Sequence, residues 1–148
     1  MTWAEFAETE PDLAYLGAAR LETSAVALLV TVSKDGSRRV HPVEPVLGQG
    51  HLFVFVAPAS GKGDDLRRNG RYILHSPVRA PRGGQGGFSV EGRAAVVMDP
   101  AIRALADQAV RDRDWPTEQY DLFEFSIESA EAAGYENDRS YLRRWRRA

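Results

Sequence analysis

The chain has 148 residues, 43% hydrophobic and 27% charged, with a net charge of −2 and no cysteine. That is a single domain, 1–148, with enough apolar material for its own core; disulfides, thiolate metal sites and cysteine nucleophiles are excluded. The acidic start Met1-Thr2-Trp3-Ala4-Glu5-Phe6 lacks an apolar signal core and no run has the length of a membrane helix, which points to the cytoplasm and away from membranes.

Asp12–Thr23 reads as a helix with Leu13, Leu16 and Leu21 as its apolar positions. The period then changes: Val26, Leu28, Val30 and Val32 alternate through Ser24–Ser33, and Lys34-Asp35-Gly36-Ser37 turns into a second strand over Arg38–Leu47. Pro42 and Pro45 cannot donate to a ladder, so that strand needs an open edge or a bulge. Gly48-Gln49-Gly50 turns again into a strand at His51–Ala57, and Arg71–His75 is a fourth. Gly83-Gly84-Gln85-Gly86-Gly87 is expected to be a mobile loop before a fifth strand, Phe88–Val97. Asp99-Pro100 supplies an N-cap and a first-turn proline for a helix with Ile102, Leu105, Ala106, Ala109 and Val110 on one face. Two final strands follow Trp115-Pro116, at Leu122–Ile127 and Tyr141–Trp145. Six or seven short antiparallel strands with few helices make a mainly β fold, a small barrel.

The segment with the most chemistry lies between the third and fourth strands. Ser60 is a good N-cap, the following amides bring the positive end of a helix dipole to one point, and Lys62 adds a full charge. Gly61 and Gly63 permit close backbone approach, and Asn69-Gly70 ends the short helix. An anion suits this turn; the plainer alternative is a capped, solvated helix start. The spacing is not that of a Walker loop, and no Gly-x-Gly-x-x-Gly opens a helix, so triphosphatase and Rossmann readings fail. Arg143-Arg144-Trp145-Arg146-Arg147 is too small a basic footprint on an acidic chain to predict nucleic-acid binding; on a C-terminal edge strand such charges discourage aggregation.

In order and spacing, Thr31–Val43, Phe53–Lys62, Asp65–Asn69 and Val90–Ala94 resemble the pyridoxamine 5'-phosphate oxidase-like family of FMN-binding split β-barrels. The resemblance runs from Leu28 to Trp145 and implies a homodimer with flavin at the subunit interface. By position it implies that Ser60 and Lys62 bind the FMN phosphate together with Arg38 or Arg39. The backbone of Val40, His41, Pro42 and Val43 would run along the isoalloxazine edge, and Phe55, Val56 and Ala57 would lie beneath the ring and ribityl chain. The side chains of Val40, Phe53 and Val56 are expected in the core. Two departures stand out. Gly61 replaces a basic residue found before the lysine in the strongest family turns, and Leu142–Arg147 lacks the histidine of the segment that holds pyridoxal substrates.

The expected function is therefore an FMN-dependent oxidoreductase acting on an unidentified small molecule, with no protein acid or base compulsory. A deazaflavin-dependent reductase and a non-catalytic flavin- or haem-binding module are the alternatives. His41, His51 and His75 show no metal-site spacing, and Asp64, Asp65 and Glu91 read as solvated or capping groups.

Overall fold

Thr2 opens the first helix through a reciprocal cap: its hydroxyl accepts from the Glu5 amide, and the Glu5 carboxylate accepts from the Thr2 amide. This is α1 (Trp3–Thr9), which buries Trp3 and Phe6; α2 (Pro11–Glu22) follows and buries Leu13, Ala14, Gly17 and Leu21. The computed structural model describes residues 1–22, 26–77, 86–110 and 114–148. The ends of the expected helix and first strand at 23–25, and the glycine-rich stretch at 83–85, lie outside the described residues.

The strands are β1 (Ala27–Val32), β2 (Arg38–Val43), β3 (Val46–Gly48), β4 (His51–Val56), β5 (Arg71–His75), β6 (Gly87–Val96), β7 (Asp121–Phe125), β8 (Ser129–Glu136) and β9 (Arg139–Arg146). Two further helices are α3 (Gly61–Arg68), between β4 and β5, and α4 (Pro100–Ala109), which starts on the Asp99 cap. All strand pairs are antiparallel, in the order β2-β1-β5-β6-β7-β4-β3, with β8 and β9 added as a hairpin on β6. The mainly β, curled antiparallel architecture is the one expected from the sequence. Pro42 sits on an edge strand as required, because β2 pairs with β1 alone, and Glu44-Pro45 divides the expected 38–47 strand into β2 and β3.

The curl comes from β6, whose first half pairs with β5 and β8 and whose second half pairs with β7. Gly92 sits at the switch, where a Cβ would come within 2.0 Å of the Ser126 carbonyl oxygen, so only glycine lets the strands cross. Inside the curl, Leu29, Leu52, Val54, Leu74, Phe88, Val90, Phe123 and Phe125 pack with Phe6 and Leu13 from the helices. A smaller cluster of Val46, Phe53, Ala106, Val110 and Leu122 seats α4. Among the described residues no helix is long and apolar enough to cross a membrane.

One face differs from the ordinary reading of an alternating strand. In β1 the buried residues are Ala27, Leu29 and Thr31, so Leu28, Val30 and Val32 lie on the outer side. Cross-strand register places Val30 between Val40 of β2 and Ile73 of β5, making an apolar row on the outside of the sheet. Val40, expected in the core, is 60% exposed.

Candidate functional site

The Ser60 turn forms where β4 ends. Ala59 takes a left-handed φ of +60°, a strained conformation for a residue with a Cβ, and this bend directs the chain into α3. Ser60 then caps the helix: its hydroxyl oxygen accepts from the Gly63 amide at 3.2 Å, and its carbonyl accepts from the Asp64 amide. The Gly61 and Lys62 amides, first in the helix, have no intrahelical acceptor, and the Ser60 hydroxyl proton stays available to a ligand. Lys62 is half-buried and has no hydrogen-bond or ion-pair partner among the described residues.

Below this turn lies a buried polar cluster. Asp65, on α3, is 1% exposed and accepts from the Thr31 hydroxyl at 2.7 Å, from Arg39 Nε at 2.9 Å and Nη2 at 2.8 Å, and from Arg68 Nη2 at 2.6 Å. Burial alone would raise its carboxyl, but the Thr31, Arg39 and Arg68 donors outweigh it and hold the group below its ordinary value. The expectation that Asp65 is a solvated or capping group is thus corrected: it anchors two strands and a helix. Arg39 also donates from Nη2 to the Gly61 carbonyl at 3.0 Å, and a Cβ at Gly61 would come within 3.0 Å of that same nitrogen. The guanidinium of Arg39 therefore holds the space that a side chain at 61 would use, and its Nη1 has no hydrogen-bond partner among the described residues. A strand arginine thus stands beside the position where Gly61 carries no side chain.

The pleat separates the two candidate arginines. Arg39 reaches the turn, whereas Arg38 lies on the opposite face, donates to the Gly36 carbonyl and lines a cavity with Val30, Ile73 and Glu91. Val40 shares the Arg38 face. His41 shares the Arg39 face, with Nε2 2.9 Å from the Thr31 hydroxyl. Burial, then the Lys62 and Arg39 charges, lower the His41 pKa against partial opposition from Asp65.

A cavity of about 300 Å³ opens beside the turn, lined by Pro42, Val43, Glu44, Phe55, Ala57, Lys62, Trp115 and Tyr120. It gathers five of the residues expected from the sequence. Val56 points the other way into the core. Trp115 and Tyr120 were not expected: the dipeptide Trp115-Pro116 reads as a break rather than as a wall. They are placed by Arg103 of α4, which donates to the Thr117 and Tyr120 carbonyls and lies 5.8 Å from the centre of the Phe55 ring, while Trp115 meets that ring edge-on at 5.9 Å. The result is an aromatic-walled slot of mixed polarity, with Glu44 in its lining and a cation and helix N-terminal amides beside it, suited to a flat ring system that carries an anionic group. The residues present fit a phosphate-bearing cofactor. Among the described residues no cluster of three or more His, Asp or Glu side chains could hold a metal ion.

Comparison with solved structures places the fold. A haem-binding protein from Mycobacterium smegmatis superposes with a TM-score of 0.71 at 15% identity over 88% of this chain, which spans 57% of that protein. A Clostridium acetobutylicum protein of the pyridoxinephosphate oxidase family, related to general stress protein 26, gives a TM-score of 0.60 at 13% identity, covering 95% of this chain and 94% of that one. A NimC/NimA family protein from Clostridium acetobutylicum gives 0.64 at 13% identity, covering 96% and 95%. A search of curated protein sequences finds no relative. Residues 17–132, which hold β1 to β7, the Ser60 turn and the Asp65 cluster, match the sequence profile described as pyridoxamine 5'-phosphate oxidase, and the chain belongs to that family, whose members generally bind flavin.

Proposed function

We propose that the chain is a homodimeric flavin-dependent oxidoreductase that takes FMN, with the phosphate at Ser60–Lys62, and acts on a small molecule. The observation that carries this reading is Lys62: a half-buried cation without a partner among the described residues, at a helix N-terminus, on the wall of an aromatic cavity. A phosphate there would receive charge-assisted bonds from Lys62 and Arg39 Nη1 and neutral ones from the Gly61 and Lys62 amides and Ser60. Phe55, Trp115 and Tyr120 would exclude water from the ring. Bound there, the flavin supplies the hydride and electron chemistry, and the protein binds, orients and shields it. The outer apolar row of Val40, Val30 and Ile73 supports the second copy, since an exposed sheet face of this kind favours covering.

Titration with FMN, followed by visible absorption and flavin fluorescence, tests the proposal together with sedimentation of the loaded protein. Micromolar binding by a dimer is expected. The likeness to the haem-binding protein favours one rival, a planar-ligand carrier, so haem is titrated in parallel, as is a deazaflavin cofactor. Binding of either with no uptake of FMN overturns the proposal, and FMN binding without reduction by nicotinamide nucleotides or turnover of any acceptor reduces it to storage.

A further inference from the structure

Thr31 is fully buried, and its hydroxyl lies between two groups: Asp65 Oδ2 at 2.7 Å and His41 Nε2 at 2.9 Å. A hydroxyl has one proton to give. Asp65, held ionised by Arg39 and Arg68, can only accept, so the Thr31 proton points to Asp65 and the Thr31 oxygen faces His41 as an acceptor. His41 must then donate through Nε2. That settles which ring nitrogen carries hydrogen, a matter usually left to the second partner of the ring. The other nitrogen, Nδ1, has no hydrogen-bond partner among the described residues. Since no buried side-chain nitrogen or oxygen is left unpartnered among the described residues, Nδ1 is accessible, on a ring that feels the Lys62 and Arg39 charges of the Ser60 turn.

We propose that Asp65, acting through Thr31, locks His41 as its Nε2–H tautomer, and that the Nδ1 lone pair accepts a hydrogen bond from a hydroxyl of a phosphate ester bound at the Ser60 turn. The ligand half of this inference rests on the phosphate reading of that turn; the tautomer half does not. The class of ligand is a phosphate ester with a hydroxyl-bearing chain, to which FMN belongs, as opposed to a bare anion offering acceptors only. Thr31 and Asp65 are positioning residues, and His41 is the contact. The groups around the ring agree. Lys62 from α3 and Arg39 from β2 oppose a second proton on it, and Asp65 favours one but is already paired with Arg39 and Arg68. With the folded His41 pKa below its ordinary value of 6.5, the ring stays neutral above that value and resists protonation as the pH falls through it.

Long-range proton–nitrogen NMR of the uniformly labelled protein at pH 7.5 reads both halves, with His41 signals identified by their loss in His41→Gln. The expected spectrum has Nε2 protonated and Nδ1 bare, a mixture of tautomers in Thr31→Val, and the wild-type pattern in Thr31→Ser. Saturation with FMN should move the Nδ1 resonance toward the hydrogen-bonded range without protonating it, and Thr31→Val should weaken FMN about three- to tenfold. A hydrogen on Nδ1 in the free protein overturns the lock, as does an unchanged tautomer in Thr31→Val. Should that variant not fold, the free wild-type spectrum and Thr31→Ser still decide the question, since loss of the pattern in serine also overturns the relay. FMN that binds while Nδ1 stays still overturns the ligand half and leaves the functional proposal standing. Failure of FMN to bind overturns both of these, while the tautomer remains readable in the free protein.

Discussion

Strand β2 has two faces that differ in nearly every respect, although their residues alternate one by one. On the inner face Arg39 and His41 are wired to Asp65 and Thr31 through hydrogen bonds. On the outer face Arg38 and Val40 are exposed and touch little beyond their own strands and turn. Adjacent arginines thus carry unrelated duties, because the strand period of two assigns a residue to a face regardless of its type. The inner face builds a site and the outer face builds a surface.

Asp65→Asn attacks the inner face most severely. It removes the charge on which two strands and a helix converge, and should cost about 2–3 kcal/mol in urea unfolding, less than for a sealed pair because Arg39 and Arg68 can be rehydrated. The carboxyl sits below its ordinary value of 3.8, so its contribution is complete above that value and lost as the pH falls through the lowered folded one. Wild type and variant should therefore converge in acid. A loss below about 0.5 kcal/mol at neutral pH, or no convergence, would make the cluster an ornament of the surface.

Lys62→Ala sharpens the site itself, with an expected ten- to hundredfold loss in FMN affinity by calorimetry, about 1.5–3 kcal/mol, and little change in stability. Riboflavin, which lacks the phosphate, should bind both proteins alike; equal losses for the two ligands would refute the phosphate assignment. Val40→Asp probes the outer face, and should raise the dimer dissociation constant about tenfold or more while the monomer keeps its fold. Unchanged sedimentation would exclude this face from the interface. The smallest effect belongs to Arg38→Ala, which should shift stability by less than about 0.5 kcal/mol and FMN affinity by less than about twofold. A loss as large as that of Lys62→Ala would mean that the pleat does not separate the arginines.

Much of this was legible in the chain because the signals are local. Ser60 and Asp99 announce their helices by capping chemistry, and the runs at 51–56 and 71–75 announce strands by composition. The missed elements divide into two kinds. The Thr2–Glu5 capping box of α1 is a local signal within four residues. By contrast, Ser129–Glu136 is rich in alanine and glutamate, poor strand formers; it is a strand because β6 and β9 flank it, which is tertiary context overriding propensity. For the candidate site, Ser60 and Lys62 are legible in the capped turn, and Pro42, Val43, Phe55 and Ala57 follow from the family resemblance. Thr31 and Asp65 escaped because each looks ordinary alone, and only the fold brings them to His41 and Arg39. The inverted face of β1 has a similar cause: alternation shows that two faces differ, not which of them is covered by the same chain.

The first helix and the last strand meet where Phe6 packs on Trp145, with ring centres 5.2 Å apart. These residues lie near opposite ends of the sequence, and such a contact is rewarded only after nearly the whole chain has been gathered into one loop. Trp145 is therefore placed to report the closing act of folding. Its fluorescence should recover with the slowest refolding phase, after the backbone signal of the central strands has returned.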